Sequence, residues 1–323
     1  MLNLYILVGT SYVRPLAPNT SIMKVMANTV AVIANRMAQL LKLANENLTD
    51  DDIVREVKRR VWWSLYMIDR WASAGLGLSR QFHSEGLAPR LPMDEIAFFN
   101  MSPGNKDDAC RYQPGIWAHM LTLVKIFGHI QDLNKELVDK DWNEEYIGSS
   151  VLLLSQQLTE FDRELPPTMV YTPENLAFQV QRGVGRTFVA LHLGYHHYAT
   201  LLYYQYLDQY RPDTQNRRMY VQRCKYHATA FCELIRASEQ EGSEAFHNVL
   251  GHMTVVSSSV LLHTLLLGED EELPMARERL ESNFRFLVKL RDFWPSVELM
   301  VSFQGSTCLG ISMHSATLMP HYR

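Results

Sequence analysis

Paired cysteines are missing from this sequence. Its four cysteines, Cys110, Cys224, Cys232 and Cys308, are scattered, and none has the two-residue spacing that closes a zinc site. No zinc cluster is expected within these residues. Cys224 and Cys232 stand eight positions apart, which on a helix is about two turns along one face and beyond disulfide reach. They read as reduced, buried residues of an intracellular protein. An excess of positive charge is missing as well. The balance of 31 Lys and Arg against 35 Asp and Glu gives a net charge of −4. That argues against a broad nonspecific DNA surface, whose affinity comes from many cations displacing counterions.

Catalytic motifs are equally scarce. Gly183-Val184-Gly185-Arg186 lacks both the third glycine and the preceding strand of a phosphate-binding loop, and no nucleophile elbow occurs. Serines, histidines and carboxylates are plentiful, but abundance does not define a triad. No catalytic or cofactor-binding residue is nominated. His192, His196 and His197 lie close enough on one helix to be tested as metal ligands. Leu193 stands where a zinc protease motif needs glutamate, so a packed aromatic and histidine face is the preferred reading and no metal ligand is nominated.

Membrane signals are also lacking. Met1 to Val8 is apolar but has no basic leading region or cleavage site. Gly251 to Gly268 is interrupted by His252, Thr254, Ser257 to Ser259, His263 and Thr264, which suits a buried helix rather than a span. No Ser/Gly/Pro-rich or single-sign tract separates domains. With 47% hydrophobic and 20% charged residues the chain has ample material for a core. Residues 1–323 are therefore expected to form one all-α domain without a substantial sheet, with an irregular start over 1–21 and a frayed tail over 311–323.

What is present in abundance is helical periodicity, and it is most distinctive in Val57-Lys-Arg-Arg-Val-Trp-Trp-Ser-Leu-Tyr-Met-Ile-Asp-Arg70. Ile53, Val57, Val61, Leu65 and Ile68 form a stripe at helical spacing that is expected to face a core. Thr49 with Asp52 has capping-box spacing, placing the start near Thr49, and Gly75 and Gly77 place the end shortly after Trp71. The other face carries Arg59, Arg60, Trp62, Trp63, Tyr66, Asp69 and Arg70. Three readings apply to it. Arginines beside tryptophans suit a nucleic-acid surface. Lys58-Arg59-Arg60 suits a short nuclear-targeting patch. The favoured reading pairs Arg59 and Arg60 with Glu56 one turn back, with the tryptophans filling a helix-packing layer.

Glu56, Arg59, Arg60, Trp62, Trp63, Leu65, Asp69 and Arg70, followed by Leu76-Gly77 and later Leu91-Pro92-Met93-Asp94-Glu95, resemble the signature of the fungus-specific transcription factor domain. That domain is the middle homology region of zinc binuclear-cluster regulators. The departure falls at Leu78-Ser79-Arg80, where the family places Arg-Pro. The resemblance extends over Ile22 to Cys308. It implies that Glu56, Arg59, Arg60, Trp62, Trp63, Asp69 and Arg70 are structural signature residues. It also implies a nuclear transcription regulator, controlling a fungal metabolic or secondary-metabolite pathway, that works with other transcription factors or co-regulators and whose activity is governed by a small-molecule effector or by intramolecular inhibition. DNA would be reached indirectly or through a missing N-terminal segment, and zinc is expected only in that missing cluster. A shortened chain and a stand-alone regulator both fit its absence. The competing class is a small-molecule sensor or metabolic enzyme on the same helical scaffold.

Further along, Ile22 to Leu43 reads as a helix and Arg80 to Asn105 as an extended connection. Met120, Leu123, Phe127 and Ile130 continue a helical stripe from Ile116. Ile147, Val151, Leu154, Leu158, Phe161 and Leu165 form another that Pro166-Pro167 must stop. Tyr171 to Leu176 resembles the family's polar linker into the following helix, which runs through Val184, Phe188, Leu191, Tyr195, Tyr198 and Leu202. Arg223 opens a helix through Phe231, Leu234 and Ser238. Glu269 to Glu272 reads as an acidic loop. Leu280, Phe284, Leu287 and Leu290 form a last stripe ending at Phe293-Trp294-Pro295.

Overall fold

Prolines and short polar side chains set the helix boundaries in this computed structural model, which describes residues 18–47, 49–76, 79–82, 88–103, 112–139, 143–211, 215–298 and 300–301. Cys110, Cys308, Met1 to Val8 and the 311–323 tail lie outside the described residues. Among the described residues there is no strand, only one isolated antiparallel bridge between Met93 and Pro114. The fold is all-α. The chain divides into two compact units, Met1–Leu191 and His192–Arg323.

The first unit contains α1 (Pro18–Leu40), α2 (Asp52–Leu76), α3 (Glu95–Phe99), α4 (Ile116–Asp139), α5 (Glu144–Glu164), α6 (Pro173–Gln181) and the start of α7 (Gly185–Tyr203). Helix α1 packs on α2, α2 on α4, and α4 on α5. The two stripes expected on α4 and α5 are both buried, from Met120 to Ile130 and from Ile147 to Leu165. Asn143 starts α5 by accepting the Tyr146 amide at 2.8 Å. The helix stops at Glu164, two residues ahead of Pro166, whose missing N–H would break the ladder.

Several expected boundaries change. Residues 171–176 are not merely a linker: Thr172 Oγ1 accepts the Asn175 amide at 3.1 Å and Pro173 occupies the first turn, so α6 starts there. Gly183, at φ +77, then separates α6 from α7, because only glycine takes that left-handed backbone without strain. The 80–105 connection contains the short helix α3. Helix α1 begins at Pro18 rather than Ile22 and ends at Leu40, where Lys42 at φ 51 turns the chain out of helical geometry.

The second unit holds the rest of α7, a 3-10 turn at Tyr204–Leu207, α8 (Gln215–Gln240), α9 (Val249–Leu267), α10 (Leu273–Phe293) and a 3-10 turn at Pro295–Val297. Helix α8 starts eight residues before the expected Arg223. Helices α8, α9 and α10 pack pairwise, with Cys232, Leu261, Leu262 and Leu280 clustered in the core. Helix α9 is long and apolar enough to cross a membrane, yet most of it is buried inside this unit. Its hydroxyls have partners there: Thr254 Oγ1 donates to Leu250 O at 2.7 Å and Ser257 Oγ to Ala228 O at 2.9 Å. Hydroxyls satisfied in this way enter a core at little cost.

Candidate functional site: a clamp on the signature helix

Helix α2 is capped by Asp51, not Thr49. Asp51 Oδ1 accepts the Ile53 amide at 2.9 Å, while Thr49 donates its hydroxyl to Asn47. The helix also continues to Leu76, one turn beyond Trp71.

Of the stripe expected to face the core, three residues face solvent while Ile53 and Leu65 are half-buried. Val57, Val61 and Ile68 are 44%, 43% and 46% exposed. The polar and aromatic face is the buried one: Glu56, Arg59, Trp62, Trp63, Tyr66, Asp69, Arg70 and Ser73 are each under a tenth exposed. Those residues also recur at helical spacing, so periodicity alone admits two inward faces. Burying charge is costly unless every charged atom finds a partner. Most of the partners come from the chain after α2, which lies along this face, with Glu46 just ahead of the helix and Glu56 on it serving Arg59.

At the far end of the helix the Asp69 carboxylate accepts the Gln81 amide at 3.0 Å and the Phe82 amide at 3.1 Å. Arg70 Nη2 donates to Phe82 O at 3.0 Å, and the Phe82 ring meets Trp62 edge-on at 5.4 Å. In the middle, Trp63 Nε1 donates to Arg90 O at 2.9 Å, and Lys125 of α4 sits 5.0 Å over the Trp63 ring. At the near end Arg60 Nη2 donates to Met93 O at 2.7 Å, while Glu56 Oε1 accepts the Met93 amide at 3.0 Å and Arg60 Nε at 2.9 Å. Arg59 Nη1 donates to Glu56 Oε2 at 2.5 Å and Arg59 Nη2 to Glu46 at 2.5 Å. Arg60 also stacks 4.4 Å over the Phe98 ring of α3.

The signature residues thus bracket residues 81–82 and 90–93 with backbone hydrogen bonds. An extended segment has no internal ladder, and side chains on α2 supply its missing partners. The guanidinium groups of Arg59 and Arg60 are committed to Glu56, Glu46 and Met93. Neither projects as a free cation toward a nucleic acid.

Four residues outside the expected set complete the clamp. Burial alone would push the Glu46 carboxyl up, but the Arg59 hydrogen bond and charge and the Arg90 amide outweigh it and hold it below its ordinary value. Asp94 Oδ1 accepts the Ile96 and Ala97 amides at 3.0 Å and so caps α3. Glu95, 4% exposed, accepts the Ile116 and Trp117 amides at 3.1 and 3.0 Å and so caps α4. Tyr112 Oη donates to Leu91 O at 2.5 Å, with Arg90 stacked 4.2 Å over its ring. Gly115 allows the close approach, since a Cβ there would sit 2.6 Å from Asp94 Cα. Asp94 was legible as a short acid just ahead of Ile96; nothing local marks Glu46, Glu95 or Tyr112 for these partners.

Residues 25–181 match the family model described as the fungal specific transcription factor domain. Over this span the chain is similar to that domain family. All seven signature residues lie within that span. The chain is 22% identical over 271 residues to the Zn(2)-C6 fungal-type transcription factor FTF1c of Fusarium oxysporum f. sp. lycopersici, covering 77% of this chain and 29% of that protein. It is 23% identical over 279 residues to the uncharacterized transcriptional regulatory protein C530.11c of Schizosaccharomyces pombe, covering 75% of this chain and 34% of that protein. The chain therefore spans about a third of the length of these curated relatives. No solved structure matches it.

Beyond the clamp, the three histidines singled out on α7 do not converge on one point. His196 Nδ1 lies 2.9 Å from Nδ1 of His227 on α8, whereas the His197 ring meets His252 on α9 at 5.8 Å. Tyr195, Tyr203 and Tyr226 pack around His227. Burial, then the charge of nearby Arg223, lowers the His227 pKa to about 4, so the pair is neutral at ordinary pH. Among the described residues no group of three or more His, Cys, Asp or Glu side chains is arranged to hold a metal ion. Cys224 and Cys232 are free, buried thiols on α8, and burial pushes both up, Cys232 to about 11.

Proposed function

We propose that this chain is the regulatory part of a fungal transcription regulator, and that it acts in the nucleus through contacts with other transcription factors or co-regulators rather than through catalysis. DNA is reached through such a partner or another segment, and a small-molecule effector sets the activity. The observation that carries this reading is the clamp itself. The seven signature residues inside the family match spend their charge, hydrogen bonds and ring contacts within the domain, on its backbone and on neighbouring side chains, which supports a scaffolding role for Arg59, Arg60, Trp62 and Trp63.

The test is a reporter assay in which the chain is fused to a heterologous DNA-binding domain. The fusion is expected to change reporter output several-fold relative to the DNA-binding domain alone, and output indistinguishable from that control overturns the reading. A gel-shift assay addresses the route to DNA. The chain alone is expected to give no sequence-specific shift, and a tight, specific shift would show that it contacts DNA directly.

A further inference from the structure

Charge is unevenly placed in this chain. Its net charge is −4, yet α8 carries five Lys and Arg against two acids, and α10 carries five against three. The two helices pack on each other within the second unit, with an open groove of about 260 Å³ between them. Cys232, Glu233 and Arg236 line it from α8, and Glu278, Arg279, Ser282 and Arg285 from α10. A basic pair of helices in an acidic chain draws anions to such a groove.

Most of the charges there are spent on one another. Glu233 accepts Arg236 Nη2 at 3.2 Å and Arg279 Nε at 3.1 Å, and Glu278 accepts Arg236 Nη1 at 3.1 Å. Two carboxylates thus answer two guanidinium groups. Arg285 is the third, and among the described residues neither it nor the Ser282 hydroxyl has a hydrogen-bond or ion-pair partner. The two Nη atoms of Arg279 also make no hydrogen bond among the described residues. Residues 279, 282 and 285 follow at intervals of three, so these spare donors are neighbours along one face of α10.

Charge selects the ligand. The three arginines and two glutamates leave one positive charge, which a monoanion neutralises, whereas a dianion would crowd negative charge beside Glu233 and Glu278. The donor set agrees, because a guanidinium fork takes both oxygens of a planar carboxylate in parallel hydrogen bonds. Buried Cys232 adds a small apolar lining for the body of the ligand.

We propose that the groove between α8 and α10 binds a small monocarboxylic acid, its carboxylate held by Arg285 with Ser282 and Arg279 donating beside it. This gives the small-molecule effector a chemical class and rests on the regulatory reading above for its role in the cell. Calorimetric titration of the full chain with sodium benzoate, at an ionic strength held constant with chloride, tests it. One saturable site is expected, with a Kd on the order of 1 mM. Arg285→Ala and Ser282→Ala change side chains without partners, so each is expected to keep the wild-type melting temperature and to weaken binding about tenfold. Arg285→Lys keeps the charge but loses the fork, and is expected to recover only part of that loss; it carries the test should Arg285→Ala misfold. The proposal is overturned by the absence of saturable binding up to roughly 100 times that Kd, by wild-type affinity in the folded Arg285 variants, or by inorganic phosphate binding more tightly than benzoate. A chain that binds benzoate while its reporter fusion is silent overturns the regulatory reading and keeps the site, and an active fusion that binds no benzoate does the reverse.

Discussion

Met93 donates its amide to Glu56 Oε1 at 3.0 Å across 37 positions of chain, and the same oxygen accepts Arg60 Nε at 2.9 Å. One buried carboxylate therefore holds its own helix's arginine and the backbone of the segment that returns over it. Arg60 closes the ring by donating to the Met93 carbonyl at 2.7 Å. Each partner satisfies the other, which is how charge becomes tolerable at 2% exposure for Glu56.

Removing that carboxylate leaves Arg59 buried with one fewer partner and the Met93 amide without an acceptor. Glu56→Ala is expected to lose about 3–5 kcal/mol in urea unfolding. Glu56→Gln keeps an acceptor oxygen and should lose less. Equal stability of Glu56→Ala and wild type would show that the ring contributes nothing net.

Trp63 fills space and donates one hydrogen bond, and two substitutions separate the roles. Trp63→Ala should cost roughly 3–5 kcal/mol through the cavity it leaves. Trp63→Phe retains much of the volume but loses the bond to Arg90 O, an effect of about 1 kcal/mol plus a packing loss. The melting temperature of both variants, with no DNA present, is the readout. No change for Trp63→Ala would reopen the binding-surface interpretation.

The solvent-facing stripe makes an opposite prediction. Val57→Lys and Val61→Lys place a charge where the structure shows more than two fifths exposure, so each should change stability by about 0.5 kcal/mol or less. A loss of several kcal/mol in the same unfolding assay would mean that the stripe is buried.

The histidine pair predicts acid sensitivity. The His227 pKa is lowered from 6.5 to about 4 in the fold, burial being the larger cause and the charge of Arg223 the lesser. Above the unfolded value both states are neutral and stability is complete. Below it the unfolded chain binds the proton first, so stability falls as pH drops from 6.5 toward 4 and levels off beneath, a loss on the order of 3 kcal/mol from this group. His196 and His197 are lowered well below their ordinary value, mainly by burial, and steepen the loss. Melting temperature against pH tests it, and His227→Phe should flatten the curve. A flat wild-type profile between about pH 7 and pH 5 would contradict the assignment.

Much of the fold was legible because apolar periodicity, prolines and capping residues act locally. The stripes of α4 and α5 and the stop at Pro166 needed no distant information. The limits of α2 and α6 were less legible, since Asp51 rather than Thr49 takes the cap and Gly183 interrupts what reads as one helix. The orientation of α2 was only partly legible: the pairing of Arg59 and Arg60 with Glu56 and the packed tryptophans were expected, the exposure of Val57, Val61 and Ile68 was not. Its valines and isoleucines advertised a core face, yet a hydrophobicity stripe scores side chains singly and ignores what a charged face gains from partners elsewhere. Only contacts spanning 12 to 37 positions, from Asp69 to Gln81 and from Glu56 to Met93, reveal why the polar face turns inward.

The sequence by itself determined the class and the family: helical periods without strand alternation, and a run from Glu56 to Arg70 whose order and spacing resemble one domain family. Tertiary structure alone decided what that run does. Backbone amides at residues 81, 82 and 93 and the carbonyl of Arg90 have to be brought to α2 before its arginines, tryptophans and carboxylates can be buried. Whether a polar side chain faces water or protein depends on the partner it meets, and that partner is set by the return path of the chain.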